Sequence, residues 1–201
     1  MQIGPRYKKA RYLGIPVFRK TQTQKYALRA ERKTKKGRGR GGKSEFGRQM
    51  LEKQKARYSY GVSAGQFANY VKAALRMSGD NAKNLLGLLE GRLDNVIVRA
   101  GFAPTRSASR QMVSHGHILV NGDIVNIPSY QVRIGDKLSI REGSRNKGLW
   151  TKLDEEIKSV KTAPWIKVDI DKKEIVIAGE PAADSDDLLF DIGSVLEFYT
   201  R

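Results

Sequence analysis

Gly91-Arg92-Leu93-Asp94-Asn95-Val96-Ile97-Val98-Arg99-Ala100-Gly101, followed by Thr105-Arg106-Ser107-Ala108-Ser109-Arg110-Gln111-Met112-Val113-Ser114-His115-Gly116-His117, reads as two consecutive short helices. Leu93, Val96, Ile97 and Ala100 recur at i, i+3, i+4 and i+7, which gives one apolar stripe that ends near Gly101. Thr105 suits the N-cap of the second helix, with Ala108, Met112 and Val113 on its inner edge. Arg106 and Arg110 are four apart, so they share the other flank. After His117 the pattern turns to β. Ile118-Leu119-Val120 leads into Asn121-Gly122, the two-residue signal of a type I′ hairpin, and Asp123-Ile124-Val125-Asn126-Ile127 returns. Val132 and Ile134, a turn at Gly135-Asp136, then Leu138 and Ile140 predict a further strand pair.

Working outward, the upstream flank is helical. Ser44 opens a helix through about Arg57, with Lys53, Lys55 and Arg57 leaving a basic flank. Ser63 and Gln66 have the spacing of a capping box, ahead of Phe67, Tyr70, Val71, Ala74 and Leu75 on one apolar face. Gly79 suits the C-cap, and Leu85, Leu86, Leu88 and Leu89 predict a buried helix. Downstream, residues 154–161 predict a short helix. Trp165–Ile170 and Glu174–Ile177 alternate around a turn at Asp171-Lys172-Lys173, a second hairpin.

The charge is uneven. The 201 residues carry 38 Lys+Arg and 21 Asp+Glu, net +17, which makes a polyanionic partner the first expectation. Residues 1–60 hold 19 of the basic residues and 3 of the acids, whereas residues 151–201 are net acidic. The chain therefore reads as a basic N-terminal arm, residues 1–43, on a globular body. Lys33-Thr34-Lys35-Lys36-Gly37-Arg38-Gly39-Arg40-Gly41-Gly42-Lys43 has no apolar residue to bury. Its glycines allow close approach to phosphate, and Lys35, Lys36, Arg38, Arg40 and Lys43 supply salt-dependent attraction. Tyr7, Tyr12, Phe18 and Tyr26 are interleaved; they suit stacking on bases or pinning the arm to the body, and spacing does not separate the two. Asp184, Asp186, Asp187 and Asp191 suit either packing near the arm or facing solvent.

Catalytic and metal chemistry find little support. The chain has no cysteine, which removes disulfides, thiolate nucleophiles and Cys-ligated zinc. His115 and His117 lack the carboxylate or cysteine neighbours of a metal site, and at a helix end they suit capping or phosphate contact. No metal or cofactor is expected. The frame from Gly37 to Ser44 satisfies the P-loop spacing, but no apolar strand precedes it. The aspartates from Asp184 to Asp191 lack the EF-hand spacing. No apolar run is long enough for a membrane span, and no secretory signal is expected. The constellation that remains is a basic edge made of Arg106, Arg110, Gly116, the Asn121-Gly122 hairpin, and the helix N-termini near Arg92 and Thr105. It suits the phosphates and sugars of folded RNA, recognised by shape, ahead of DNA. The competing reading pairs these arginines with Asp94 and Asp123 or leaves them solvated.

These residues also resemble a known family. Gly91–Val96, Arg99–Phe102, Thr105–Gln111, His115–Ile118, Val120–Gly122 and Ile134–Asp136 closely resemble the RNA-binding domain named after ribosomal small-subunit protein four. Glu52–Lys55, Tyr60–Val62, Gln66-Phe67, Asn84–Leu86 and Pro164-Trp165 are similar to the regions that flank this domain in that ribosomal family, so the resemblance covers roughly residues 44–201. It implies an α+β fold, a mainly helical discontinuous domain (residues 44–91 plus 156–201, with a C-terminal β-hairpin) that carries an inserted helix-helix-β-hairpin RNA-binding module, residues 92–155. It implies a structural, non-enzymatic ribosomal protein of the cytoplasm, an organellar ribosome remaining the alternative. That protein binds 16S rRNA directly at a multi-helix junction, early in small-subunit assembly. It contacts ribosomal small-subunit protein five, lies near the messenger RNA entry channel and affects decoding accuracy. RNA contact is carried over to Arg92, Thr105, Arg106, Ser107, Ser109, Arg110, His115, Gly116, His117, Asn121 and Gly122. The zinc-binding cysteine cluster of some members is absent.

The same module occurs on pseudouridine synthases, and Gly91-Arg92-Leu93-Asp94 resembles the motif around their catalytic aspartate. Here Ile97-Val98-Arg99 stands where Thr-Gly-Leu would follow, and the chain outside the module is too short for a typical catalytic domain. A transient RNA-binding factor is the third class.

Overall fold

The computed structural model describes residues 3–34, 44–145, 150, 157, 162–183 and 188–200. Lys35, Lys36, Arg38, Arg40 and Lys43 lie outside the described residues, as do Asp184, Asp186, Asp187 and all of the expected 154–161 helix except Ile157. The chain divides into two compact units, one made of Met1–Ala82 with Ser185–Arg201, the other of Lys83–Asp184.

The first unit is helical: α1 (Arg6–Leu13), a 3-10 turn (Arg19–Thr21), α2 (Gln24–Thr34), α3 (Glu45–Tyr60), α4 (Ala64–Arg76) and the C-terminal helix, Ile192–Thr200. Ser44 caps α3 by accepting from the Gly47 N–H, and Ser63 caps α4 by accepting from the Gln66 N–H, as their positions in the sequence suggested. The α4 helix ends at Arg76, ahead of the glycine expected to stop it, because Met77 is already extended. Phe67, Val71 and Ala74 form its buried stripe. The C-terminal helix packs on α3 and α4 through ring contacts, Phe46 with Phe198 and Phe67 with Tyr199. Its start is built by Asp191, which accepts from the backbone of Gly193 and Ser194.

The second unit contains α5 (Asn81–Glu90), α6 (Leu93–Arg99), α7 (Arg106–Ser114), β1 (Ile118–Val120), β2 (Asp123–Ile124), β3 (Lys137–Ile140), the single turn α8 (Glu142–Arg145), β4 (Ile166–Asp169) and β5 (Glu174–Ile177). With that numbering the C-terminal helix is α9. The strands form one antiparallel sheet in the order β2-β1-β3-β5-β4. One face of the sheet is apolar: Ile118, Val120, Leu138, Ile140, Ile175 and Ile177 are all buried. Leu93, Val96 and Ile97 of α6 and Met112 and Val113 of α7 belong to the same core. Alternation of period two and stripes of period 3.6 thus meet in one core.

Three expectations change here. The strand expected at Val132–Ile134 does not form: Val132 bonds back to Gly91, and Arg133 closes a turn with Asp136. The Val132 N–H donates to the Gly91 carbonyl, while Tyr130 and Pro128 accept from the N–H groups of Leu93 and Asp94. The hairpin assigned to the helical domain instead extends the sheet, because β5 pairs with β3, Leu138 opposite Ile175. The inner edge of α7 is Ser109, Met112 and Val113, with Ala108 only half-buried. Among the described residues no helix is long and apolar enough to cross a membrane.

Candidate nucleic-acid interface

Two buried carboxylates organise the arginines of the second unit. Asp94, at the start of α6, is 1% exposed. It receives both Nε (2.9 Å) and a terminal nitrogen (2.8 Å) of Arg92, and Nε of Arg110 at 3.0 Å. Glu90, at the end of α5, is fully buried and receives Arg99 through two nitrogens at 3.0 and 2.9 Å. Asn95 links the two ends. Its amide donates to Glu90 at 2.6 Å, and its carbonyl oxygen accepts from Arg106 Nε at 2.7 Å. Ser109 Oγ donates to the Asp94 carbonyl at 2.6 Å and ties α7 to α6. Three guanidiniums thus pair with two carboxylates, and a fourth, that of Arg106, is held through Asn95.

This geometry separates the expected contact residues. Arg92 is 1% exposed and Ser109 is fully buried, so both lie in the interior and neither is at the surface. His117 is also buried, with Nδ1 3.0 Å from Ser144 Oγ. Gly116 is buried beneath the hairpin. Arg106 and Arg110 are half-buried, each anchored on one side by the carboxylate framework. Ser107 and His115 are exposed, and Thr105 is occupied in capping α7 through the Ala108 N–H. The N-terminus of α6 offers no open donors of Leu93 and Asp94, since the 128–130 loop takes them. Arg110 pairs with Asp94, as the competing reading held.

The hairpin has the expected turn, with Asn121 at φ 53° and Gly122 at φ 95°. Both are exposed, but Asn121 is not open in the sense first expected. Its amide donates to Asp136 Oδ1 (2.8 Å), its carbonyl oxygen accepts the Lys137 N–H (2.9 Å), and its own N–H goes to the Lys137 carbonyl. On α3, Lys53 lies over the Phe198 ring at 4.2 Å and Lys55 pairs with Glu52 at 2.7 Å. Burial, with Arg57 beside it, holds the Lys53 ammonium below the usual lysine range. Arg57 stacks on Tyr58 with its carbon 4.5 Å from the ring centre. The basic flank of α3 is therefore largely engaged with its own unit.

The S4 domain matches residues 91–138, and the ribosomal protein S4/S9 N-terminal domain matches residues 2–90. The chain is 41% identical over 204 residues to small ribosomal subunit protein uS4 of Azotobacter vinelandii, covering 99% of this chain and 98% of that protein. It is 44% identical over 205 residues to that of Hahella chejuensis and 42% identical over 206 residues to that of Pseudomonas aeruginosa, with the same two coverages. The chain belongs to the uS4 family of small-subunit ribosomal proteins. As in the uS4 family at large, its role is structural and not enzymatic. Asp94 fits that role, since two arginines and burial make it an ion-pair centre. Reading the sequence for uS4-type contacts missed Glu90, Asn95 and Arg99, which complete the framework. The available signal was Glu90 and Asp94 four apart, in a region with few acids.

Proposed function

We propose that the chain is a primary 16S rRNA-binding protein that nucleates small-subunit assembly at a multi-helix junction and contributes to translational accuracy. The observation that supports this reading is the framework of Asp94 and Asn95, which holds Arg110 and Arg106 of α7 in fixed positions. Preorganised guanidiniums lose less freedom when they meet phosphates. The proposed contact surface is Arg106, Ser107, Arg110, His115, Asn121 and Gly122, with Thr105, Gly116 and His117 shaping it and Arg92 and Ser109 positioning it. Lys53, Lys55 and Arg57, and Lys35, Lys36, Arg38, Arg40 and Lys43 of the arm, are proposed as further phosphate contacts. Lys53 and Lys55 would have to leave their present partners to serve. The proposed organisation is a basic arm and a helical domain interrupted by the RNA-binding module. The further proposed partners are ribosomal small-subunit protein five and messenger RNA near its entry channel, on cytoplasmic ribosomes.

Footprinting on purified 16S rRNA tests this. The wild type should protect one multi-helix junction in the absence of other proteins, and the Arg106→Ala/Arg110→Ala variant should lose that protection. A diffuse footprint, or one that survives the double substitution, would count against the reading. Release from small subunits in a high-salt wash would favour a transient factor instead.

A further inference from the structure

The N-terminal helices form a cleft of about 550 Å³ that none of the expected contact residues among the described ones lines. Two helices supply its walls. Tyr7 and Arg11, four apart, come from α1; Lys25, Arg29 and Arg32, at i, i+4 and i+7, form a single stripe on α2. Tyr26 completes it, and among the described residues no acid lines it. The Tyr7 and Tyr26 ring centroids are 5.9 Å apart with the planes tilted by 32°. Rings this close already touch one another, so a third ring cannot enter between them. Tyr7 is nevertheless 52% exposed and lines the cleft beside a row of cations.

We propose that this cleft binds an unpaired nucleotide of single-stranded RNA, its base stacked on Tyr7 and its flanking phosphates on Arg11, Arg29 and Arg32. The inference rests on the RNA-binding reading above and adds a second, separate site to it. An exposed aromatic ring beside cations is what single-stranded nucleic acid uses, because every base has a flat face and every linkage a negative charge. A bare anion site would have no use for the tyrosine pair. A duplex keeps its bases stacked inside and could not use the exposed ring. In the sequence Lys35, Lys36, Arg38 and Arg40 follow α2, and this run of cations favours a polymer over a single small anion.

The test uses the full chain and an adenosine decaribonucleotide. Tyr7→Ala should weaken decamer binding about 5- to 150-fold, the range for one lost base stack. Tyr7→Phe should stay within about twofold of wild type, since the phenol oxygen is not needed for stacking. A 5-iodouridine decamer photocrosslinked to the unaltered protein should form its adduct at Tyr7, which needs no variant to fold. Undiminished binding by Tyr7→Ala, equal loss in Tyr7→Phe, or an adduct map without Tyr7 would each overturn the proposal. So would full displacement by inorganic polyphosphate at matched charge, which would mark an anion site. Absence of a junction footprint by the unaltered protein, with decamer binding intact, would overturn the earlier reading, whereas a normal junction footprint without decamer binding would overturn this one.

Discussion

Asp94 shows at the residue scale how the interface is built. Its carboxylate is buried between Arg92 and Arg110, and Arg92 is as buried as its partner. Removing one member of such a pair strands the other charge, which typically costs about 3–5 kcal/mol. Asp94→Ala should therefore lower unfolding stability by about that amount in urea titrations. Arg110→Ala should cost far less, because Arg92 still satisfies Asp94. Equal losses in the two variants would show that the pairing is not the support described. Asp191 gives a pH-dependent counterpart. The Ser194 hydroxyl, followed by the N–H groups of Gly193 and Ser194, holds its carboxyl below the usual aspartate range despite some opposing burial. The unfolded chain then binds the proton first as pH falls, so the stabilisation is complete above the ordinary aspartate pKa and disappears below the folded one. Asp191→Asn should flatten the acid limb of stability against pH and leave the neutral plateau's slope alone. A wild-type acid limb in that variant would refute it.

At the scale of elements, α7 and the turn after it decide where Arg106 and Arg110 stand. Thr105 caps the helix, and Thr105→Ala should cost about 1 kcal/mol by thermal or urea unfolding. Gly116 then reverses the chain at φ 65°, and a Cβ there would lie 3.3 Å from Ile124 Cγ2. Gly116→Ala should destabilise by about 1–2 kcal/mol from the left-handed backbone alone. It should also weaken RNA binding, since it displaces the hairpin from α7; unchanged affinity would separate the two elements. Most of these elements were legible in the sequence. Thr105, Ser63, Ser44 and Asn121-Gly122 are signals whose hydrogen bonds are local, so a short window contains both partners. Val132–Ile134 was misread for the opposite reason. Its apolar pattern suits a strand, but the Val132 N–H finds its partner some forty residues back, at the Gly91 carbonyl, and Arg133 turns onto Asp136.

For the whole molecule, the quantity to measure is the salt dependence of RNA affinity. Replacing Arg106 and Arg110 by Ala should flatten the slope of log K against log salt by about 1–2, one unit per lost phosphate contact. Replacing the six basic residues between Lys33 and Lys43 with Gln should flatten it more, because they are more numerous. A slope indifferent to both would remove phosphate neutralisation as the source of affinity. The net charge of +17, its concentration in the first sixty residues, the absence of cysteine and the periodic stripes from Leu93 to Val113 are properties of the chain itself. They determined the class of partner, the helix pair and the hairpin, since composition and short-range spacing need no folded context. Which arginines face outward was another matter. Arg92, Arg106 and Arg110 look alike in sequence, yet Arg92 is interior and the other two are half-exposed. Lys53 looks like a free cation and lies over the Phe198 ring, 145 positions along the chain. Only the tertiary structure decided these fates, because burial and charge pairing depend on which distant side chains arrive beside a residue, and no local pattern records that.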